Sequence, residues 1–193
     1  MVRRLGAISE YAPLFAAAYP GESIGTATVA KAIATFERTV VSGTAPFDRL
    51  VAGDKDAVSE SAKHGFVIFN TTGHCATCHS GWRFSDDSFH DIGVKSADLG
   101  RGKLMPIAAL QYAFKTPTLR NIDRRGPYMH DGCEPSLESV VELYDLGGRE
   151  KRPSLSPEIH PLGLSAQDKN DLIAFLHSLT STDAPTTVPE LPR

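Results

Sequence analysis

Two cysteines and a histidine, placed together as Cys75-Ala76-Thr77-Cys78-His79, constrain this chain more than any other feature of its sequence. Two thiols three residues apart on one turn can each bond a vinyl group of a haem, and the adjacent imidazole can then bind the iron. Five neighbouring residues therefore suffice for both attachment and ligation. The motif predicts one covalently attached c-type haem, with His79 as the proximal ligand of the haem iron.

Two other interpretations of the motif fit the sequence less well. A structural zinc site needs a second pair of ligands at suitable spacing, which Cys133 and the scattered histidines do not supply. A thioredoxin-like redox pair needs a βαβ context that the pattern lacks, and it leaves His79 unexplained. Three cysteines, one of them left over, are also not typical of a disulfide-stapled secreted scaffold.

Charge and hydropathy exclude several classes of protein. The formal net charge of the 193 residues is −3 and no basic stripe is present, so we expect no nucleic-acid partner. No run approaches the roughly 18 apolar residues of a membrane-spanning helix, so we expect no membrane span. The first residues lack a continuous apolar stretch and a small-residue cleavage site, so no export signal is predicted in this chain.

The hydrophobic spacing predicts a mostly α-helical, cytochrome c-like fold with long irregular loops around the haem. Apolar residues recur at helical spacing in five segments, marked by Tyr11, Val29, Phe66, Val140 and Leu172. Ser59 is a predicted N-cap, Ser165 and Asp168 resemble a capping box, and Gly147 stops the fourth segment. Residues 80–135 show little periodicity, which is typical of a segment wrapped around a cofactor.

Three parts of the chain are predicted. Residues 1–45 form a helical lead-in that packs on the haem domain, and residues 46–182 form a cytochrome c domain with a single haem. Residues 183–193 are rich in proline and threonine and are expected to be a loose tail.

The second axial ligand of the haem iron stays open when only the residues are considered. A methionine raises the reduction potential of a haem, a tyrosine lowers it, and a vacant position admits peroxide. Met105-Pro106 resembles the loop ligand of small cytochromes, whereas a lone tyrosine on a helix face is more often simply core. The pattern alone slightly favours Met105 among four candidates, which are Tyr144, Met105, Met129 and His130.

Six segments together resemble the bacterial di-haem cytochrome c peroxidase and MauG family. Their order and spacing are similar to those of the family's second, C-terminal haem domain and the short helical lead-in before it; no counterpart of the first haem domain is present. The resemblance implies that this haem transfers electrons, whereas the N-terminal haem of the family binds peroxide. The segments are AIATFERTVVSGTAPFDRLVAGD, CATCHSGWRFSDDSFHDIGV, FKTPTLRNI, GPYMHDG, SLESVVELYDLGG and IHPLGLSAQDKNDLIAFLHSLT.

The resemblance also implies roles for single residues. In the family the distal position lies on the helix after HDG, filled by Met in ordinary peroxidases and by Tyr in MauG-like members. Tyr144 occupies that position in LESVVELY, so the resemblance moves the preferred distal ligand from Met105 to Tyr144. Arg120, within FKTPTLRN, is expected to pair with a haem propionate, and His130, within GPYMHDG, to hydrogen-bond nearby.

A calcium ion is a further implication of the resemblance. The family's interdomain calcium is bound by backbone carbonyls close to Arg125 and Pro127, together with a residue of the N-terminal domain. This chain would therefore supply half of a calcium site.

The expected function is electron relay within a peroxidase-type oxidoreductase. The haem would exchange electrons with an external redox protein and with a peroxide-reactive haem on another domain or chain. No acid–base pair stands beside the motif, so no catalytic residue is predicted and this chain alone is not expected to be a peroxidase. Haem attachment takes place outside the bacterial inner membrane, so the expected location is periplasmic.

Two alternative functions stay open. In one, the chain is a stand-alone electron carrier in which Met105 completes a six-coordinate iron. In the other, it is a one-haem peroxidase in which Tyr144 stays off the iron and peroxide binds at an open distal site.

Overall fold

The computed structural model describes residues 1–184, 187–188 and 190–192. This part of the chain is mostly helical with long irregular segments, as predicted, and none of its helices is long and apolar enough to cross a membrane. The strands β1 (Phe89–His90) and β2 (Phe114–Lys115) pair antiparallel. The helices are α1 (Val2–Leu5), α2 (Tyr11–Ala18), α3 (Thr26–Glu37), α4 (Pro46–Val51), α5 (Glu60–Asn70), α6 (Leu137–Asp145) and α7 (Ala166–His177). Short 3₁₀ turns span Cys75–Thr77, Arg101–Lys103, Ala108–Leu110 and Ile122–Arg124.

Two compact units divide the described chain, one containing residues 1–42 with the described part of 183–193, the other residues 43–182. In the first unit, Val29 of α3 is buried, but Ile33 and Phe36 of the same apolar stripe are 47% and 45% exposed. The loose tail predicted over residues 183–193 falls partly on residues outside the described ones.

The helices of the second unit have the ends that the sequence predicts. Ser59 Oγ accepts a hydrogen bond from the backbone N–H of Ala62 at 3.1 Å, which caps α5. Ser165 and Asp168 form a reciprocal capping box at the start of α7. Gly147 follows α6 with a φ of 72°, a left-handed conformation that glycine adopts at little cost.

Helices α5 and α7 cross in close contact at Gly65. A Cβ atom at this position would overlap the carbonyl oxygen of Asp171 and would lie 2.9 Å from the Cβ of Phe175. An aromatic cluster surrounds this crossing, because four more rings lie with their centroids 5.0 to 6.1 Å from that of Phe175: Phe47, Phe66, Phe69 and Phe84. The 3₁₀ turn Cys75–Thr77, which begins the haem motif, packs against α5. The crossing of α5 and α7 therefore supports the motif.

A buried carboxylate also joins the two helices. Asp171 of α7 accepts hydrogen bonds from Ser61 Oγ and from Gln167 Nε2, and its Oδ2 lies 2.7 Å from His64 Nδ1. These contacts, that of His64 first, lower the pKa of Asp171 below its usual range. The carboxylate therefore stabilises the crossing in its ionised form.

We expect Asp171 to make the protein less stable in acid. A carboxyl whose folded-state pKa lies below its unfolded value contributes fully above that unfolded value, about 3.9. The contribution is lost as the pH falls through the folded-state pKa. Asp171→Asn should therefore lower the melting temperature at neutral pH and flatten its decline in acid. Thermal unfolding from neutral to acidic pH measures this, with the exposed Asp56→Asn as the control; parallel curves for Asp171→Asn and wild type would contradict it.

Candidate haem site

A cavity of about 380 Å³ lies in the second unit, and Cys75, Cys78 and His79 all line it. The motif reaches it from the turn after α5, while α6, α7 and the long segment between them and the motif supply the other walls. Much of the wall is hydrocarbon, including Ile92, Val94, Leu119, Val141, Leu162 and Leu176. A largely apolar cavity beside two thiols and an imidazole fits a porphyrin ring attached by thioether bonds.

His79 is oriented by a backbone carbonyl. Its Nδ1 lies 2.9 Å from the oxygen of Phe84. Since a carbonyl oxygen only accepts hydrogen bonds, Nδ1 carries the proton and Nε2 is left free to bind a metal. Burial lowers the pKa of His79, which favours the neutral imidazole that ligates iron.

The two motif thiols share one environment, and the third cysteine does not. Burial raises the pKa of Cys75 to about 12 and also raises that of Cys78. Cys133 is exposed and is not among the described residues that line the cavity. The structure thus places the two motif cysteines together at the cavity and leaves the third elsewhere.

Cys78 has a second set of neighbours that sequence reasoning missed. Donor atoms of Cys78, Asp86 and His90 lie within 4.8 Å of one another. His90 Nε2 already lies 2.8 Å from Asp86 Oδ2, so these two side chains satisfy each other. A metal ion at this place would need the Cys78 sulfur, which a thioether bond to haem would occupy. The two uses of Cys78 therefore exclude each other.

Tyr144 lines the same cavity as the motif. It is presented by α6, which Ser136 caps at its start and whose last residue, Asp145, accepts a hydrogen bond from the backbone N–H of Leu164 at 2.8 Å. Burial raises the pKa of Tyr144, and the nearby Cys75 and Cys78 raise it further. The expectation that Tyr144 points inward agrees with this placement, and the raised pKa keeps its hydroxyl neutral.

His130 and Met129 also line the cavity. The His130 ring stacks on Phe114 with their centroids 3.6 Å apart and their planes at 11°, and its Nε2 lies 3.2 Å from Ser96 Oγ. These two contacts hold the imidazole against the cavity wall.

Two predicted residues lie away from the cavity lining. Met105 is 40% exposed in an irregular loop. Arg120 is mostly buried, but its Nη1 lies 2.6 Å from Asp48 Oδ1 and its Nε donates to the carbonyl oxygen of Trp82 at 2.8 Å. In this structure the Arg120 guanidinium therefore pairs with the Asp48 carboxylate, where the resemblance implies a haem propionate.

Three cations that sequence reasoning did not assign to the cofactor do line the cavity: Lys115, Arg125 and Arg152. Arg152 pairs through two nitrogens with the buried Asp91, at 2.9 and 3.0 Å, and Lys115 pairs with Asp87. Arg125 forms no ion pair within the described residues, so it is the cavity cation most available to a propionate. Lys115 lies within the FKTPTLRN segment and Arg125 lies four residues after it, but the spacing of the segment does not show which cation faces the cavity.

Comparison with known proteins identifies relatives of this chain. The family described as di-haem cytochrome c peroxidase matches residues 1–56. The methylamine utilization protein MauG of Methylorubrum extorquens is 53% identical over 196 residues, which cover 100% of this chain and 55% of that protein. The cytochrome c peroxidase Ccp of Escherichia coli K12 is 30% identical, over 92% of this chain and 36% of its own length.

The fold has a close counterpart among solved structures. A MauG-like protein associated with microbial copper homeostasis superimposes with a TM-score of 0.80 and 29% identity, over 94% of this chain and 61% of that one. The chain spans about half the length of the MauG proteins that it matches. From its sequence and its fold together, this chain belongs to the di-haem cytochrome c peroxidase and MauG family.

Proposed function

We propose that this chain is the C-terminal, electron-transfer haem domain of a MauG-like oxidoreductase. One c-type haem is attached through Cys75 and Cys78, with His79 as proximal and Tyr144 as distal ligand. The domain relays electrons between an external redox protein and a peroxide-reactive haem on another domain or chain, in the periplasm. The backbone near Arg125 and Pro127 contributes half of an interdomain calcium site.

One observation carries this proposal. The Cys75 and Cys78 thiols, the His79 imidazole and the Tyr144 hydroxyl line one cavity, although Tyr144 comes from a helix that is distant in sequence. The hydrogen bond from His79 Nδ1 to Phe84 leaves the other ring nitrogen for iron. A tyrosine that only fills the hydrophobic core would not need to share a cavity with two thiols and an imidazole.

Different residues of the chain have different roles around the cofactor. A bound haem supplies the one-electron redox chemistry of the iron. The largely apolar cavity wall would cover the porphyrin, the Phe84 carbonyl keeps His79 in one tautomer, and Arg125 offers a charge to a propionate. The Asp91–Arg152 pair ties the loop before residue 95 to the loop after α6, and Arg152 lines the cavity there.

The stand-alone carrier with Met105 as distal ligand has less support. Met105 is outside the cavity lining, so it would need a rearranged loop to reach an iron bound to His79. The one-haem peroxidase differs only in whether Tyr144 binds the iron.

Replacing Tyr144 distinguishes these functions. We expect Tyr144→Phe to convert a low-spin ferric haem to a high-spin one that binds azide or peroxide, because the phenyl ring keeps the shape but cannot ligate iron. Ultraviolet-visible and electron paramagnetic resonance spectra of the purified holoprotein measure this.

Two variants serve as controls. Tyr128→Phe removes a hydroxyl from the same cavity, one that lies 3.3 Å from the Ile122 carbonyl oxygen, and should leave the spin state unchanged. Met105→Leu should do the same. If Met105→Leu alone produced the high-spin spectrum, the carrier function would replace ours; if wild type were already high-spin, the one-haem peroxidase would.

A further inference from the structure

Residues 99–110, here called the apolar loop, expose large hydrophobic side chains to solvent. Leu104 is 75% exposed, Ile107 51% and Met105 40%. Single exposed apolar residues are ordinary on a protein surface, but several in one short loop are typical of an interaction site.

The ends of the apolar loop are tied together. The backbone N–H of Tyr112 donates to the Leu99 carbonyl oxygen at 2.9 Å, and that of Arg101 donates to the Ala113 oxygen at 2.8 Å. Asp98 Oδ1 accepts from the N–H of Gly100 at 2.9 Å. Closed ends are characteristic of compact surface loops, which are frequently functional. The loop therefore presents its apolar side chains from a defined base.

Basic residues lie within the apolar loop and just before it. Lys95, Arg101 and Lys103 lie in or beside the loop, and no carboxylate of the described residues forms an ion pair with any of them. Asp98 is the one acidic residue between Lys95 and Leu110, and its carboxylate accepts the hydrogen bond from Gly100 at the base of the loop. The surface thus combines apolar side chains with a basic rim of Lys95, Arg101 and Lys103, in which the Arg101 guanidinium also lies over the Phe89 ring, 4.8 Å from its centroid.

The apolar loop is also next to the candidate haem site. Ser96 and Asp98, immediately before it, and Tyr112 and Phe114, immediately after it, line the cavity. A protein that docks on the loop would therefore stand beside the wall of the haem cavity.

We infer that the apolar loop is the docking surface for an acidic one-electron redox protein. This inference rests on the proposed function and adds the place and the charge of the partner. Transient electron-transfer complexes bury small interfaces, so a few apolar side chains suffice for contact. Opposite charges speed the encounter, which makes the rate sensitive to salt. The transfer moves one electron and makes or breaks no covalent bond.

Stopped-flow kinetics of the ferrous holoprotein test this docking surface. The probes are a ferric acidic cytochrome c, a ferric basic cytochrome c and a neutral quinone. We expect the acidic cytochrome to react faster than the basic one and to slow as ionic strength rises. The double variant Leu104→Ser with Ile107→Ser should react with the acidic cytochrome at least about tenfold more slowly, as loss of central apolar contacts commonly causes. The quinone rate should not change.

The control variant is Val51→Ser, which removes a 73% exposed apolar side chain of α4 outside the loop and should leave all three rates unchanged. Lys95→Glu with Lys103→Glu should reverse the preference between the two cytochromes.

A normal rate of haem oxidation by the quinone, together with an unchanged rate with the acidic cytochrome in the Leu104/Ile107 variant, would overturn the docking surface and leave the proposed function standing. A wild-type dimer that this variant dissociates, seen by sedimentation, would reassign the loop to self-association and also overturn it. Absence of covalent haem would overturn both proposals.

Discussion

Replacing both motif cysteines, as Cys75→Ala with Cys78→Ala, should abolish covalent haem in protein produced with the haem-attachment machinery. Both thiols line the cavity, and each thioether bond needs one of them. After denaturation and acidic acetone extraction, the wild-type chain should keep its haem and the double variant should lose essentially all of it. The haem-specific stain on a denaturing gel gives the same measurement.

Counting thiols provides the control for this result. The sequence has three cysteines, so the denatured holoprotein should show a single reactive thiol, that of the exposed Cys133, and the apoprotein three. Cys133→Ser should keep its haem and show no free thiol. Three free thiols in the purified wild-type holoprotein would contradict covalent attachment. The Cys78 sulfur would then be available to bind a metal ion together with Asp86 and His90.

Gly65→Ala should destabilise the protein by about 3 kcal/mol or more, as overpacking at a tight contact does. Helix propensity alone predicts the opposite sign, because alanine stabilises a helix interior by roughly 1 kcal/mol relative to glycine. The added methyl group would overlap the Asp171 carbonyl oxygen, which is backbone and cannot swing away. Urea unfolding of variant and wild type measures the free energy of unfolding.

Gly6→Ala is the matched control for this substitution. Gly6 has a φ of −66°, and a Cβ there meets its nearest neighbour, the Val2 carbonyl oxygen, at an ordinary 3.5 Å. We expect a change within about 1 kcal/mol, set by propensity alone. If Gly65→Ala behaved like Gly6→Ala, the two helices would have to separate in solution more than the structure indicates.

Local signals explain why parts of the fold could be predicted. The caps at Ser59 and Ser165 lie where the sequence predicts them, because each is a contact between residues three apart. The inward placement of Tyr144 followed from the spacing of apolar residues on one short helix. Ile33 and Phe36 are exposed although their spacing places them on one apolar stripe with Val29, because burial needs a neighbouring surface that a helix pattern does not specify.

Charge partners were the least predictable part of the site. Arg120 was expected at a propionate, but it lies against Asp48 of α4, far away in sequence. Arg125 and Arg152 line the cavity, although the sequence predicts no role for either side chain. Long side chains pair with whichever opposite charge the packing brings near, and no local pattern records that.

The sequence by itself determined the attachment chemistry, because five consecutive residues carry two thiols and an imidazole at the spacing that haem requires, and it determined the helix ends through local caps. Only the tertiary structure decided that Tyr144 and not Met105 lines the cavity with His79, and that the Met105 loop faces solvent with its basic rim. The reason is physical: both residues are distant from the motif along the chain, and the packing of α6 beside α7 and the closed base of the loop set where each side chain lies.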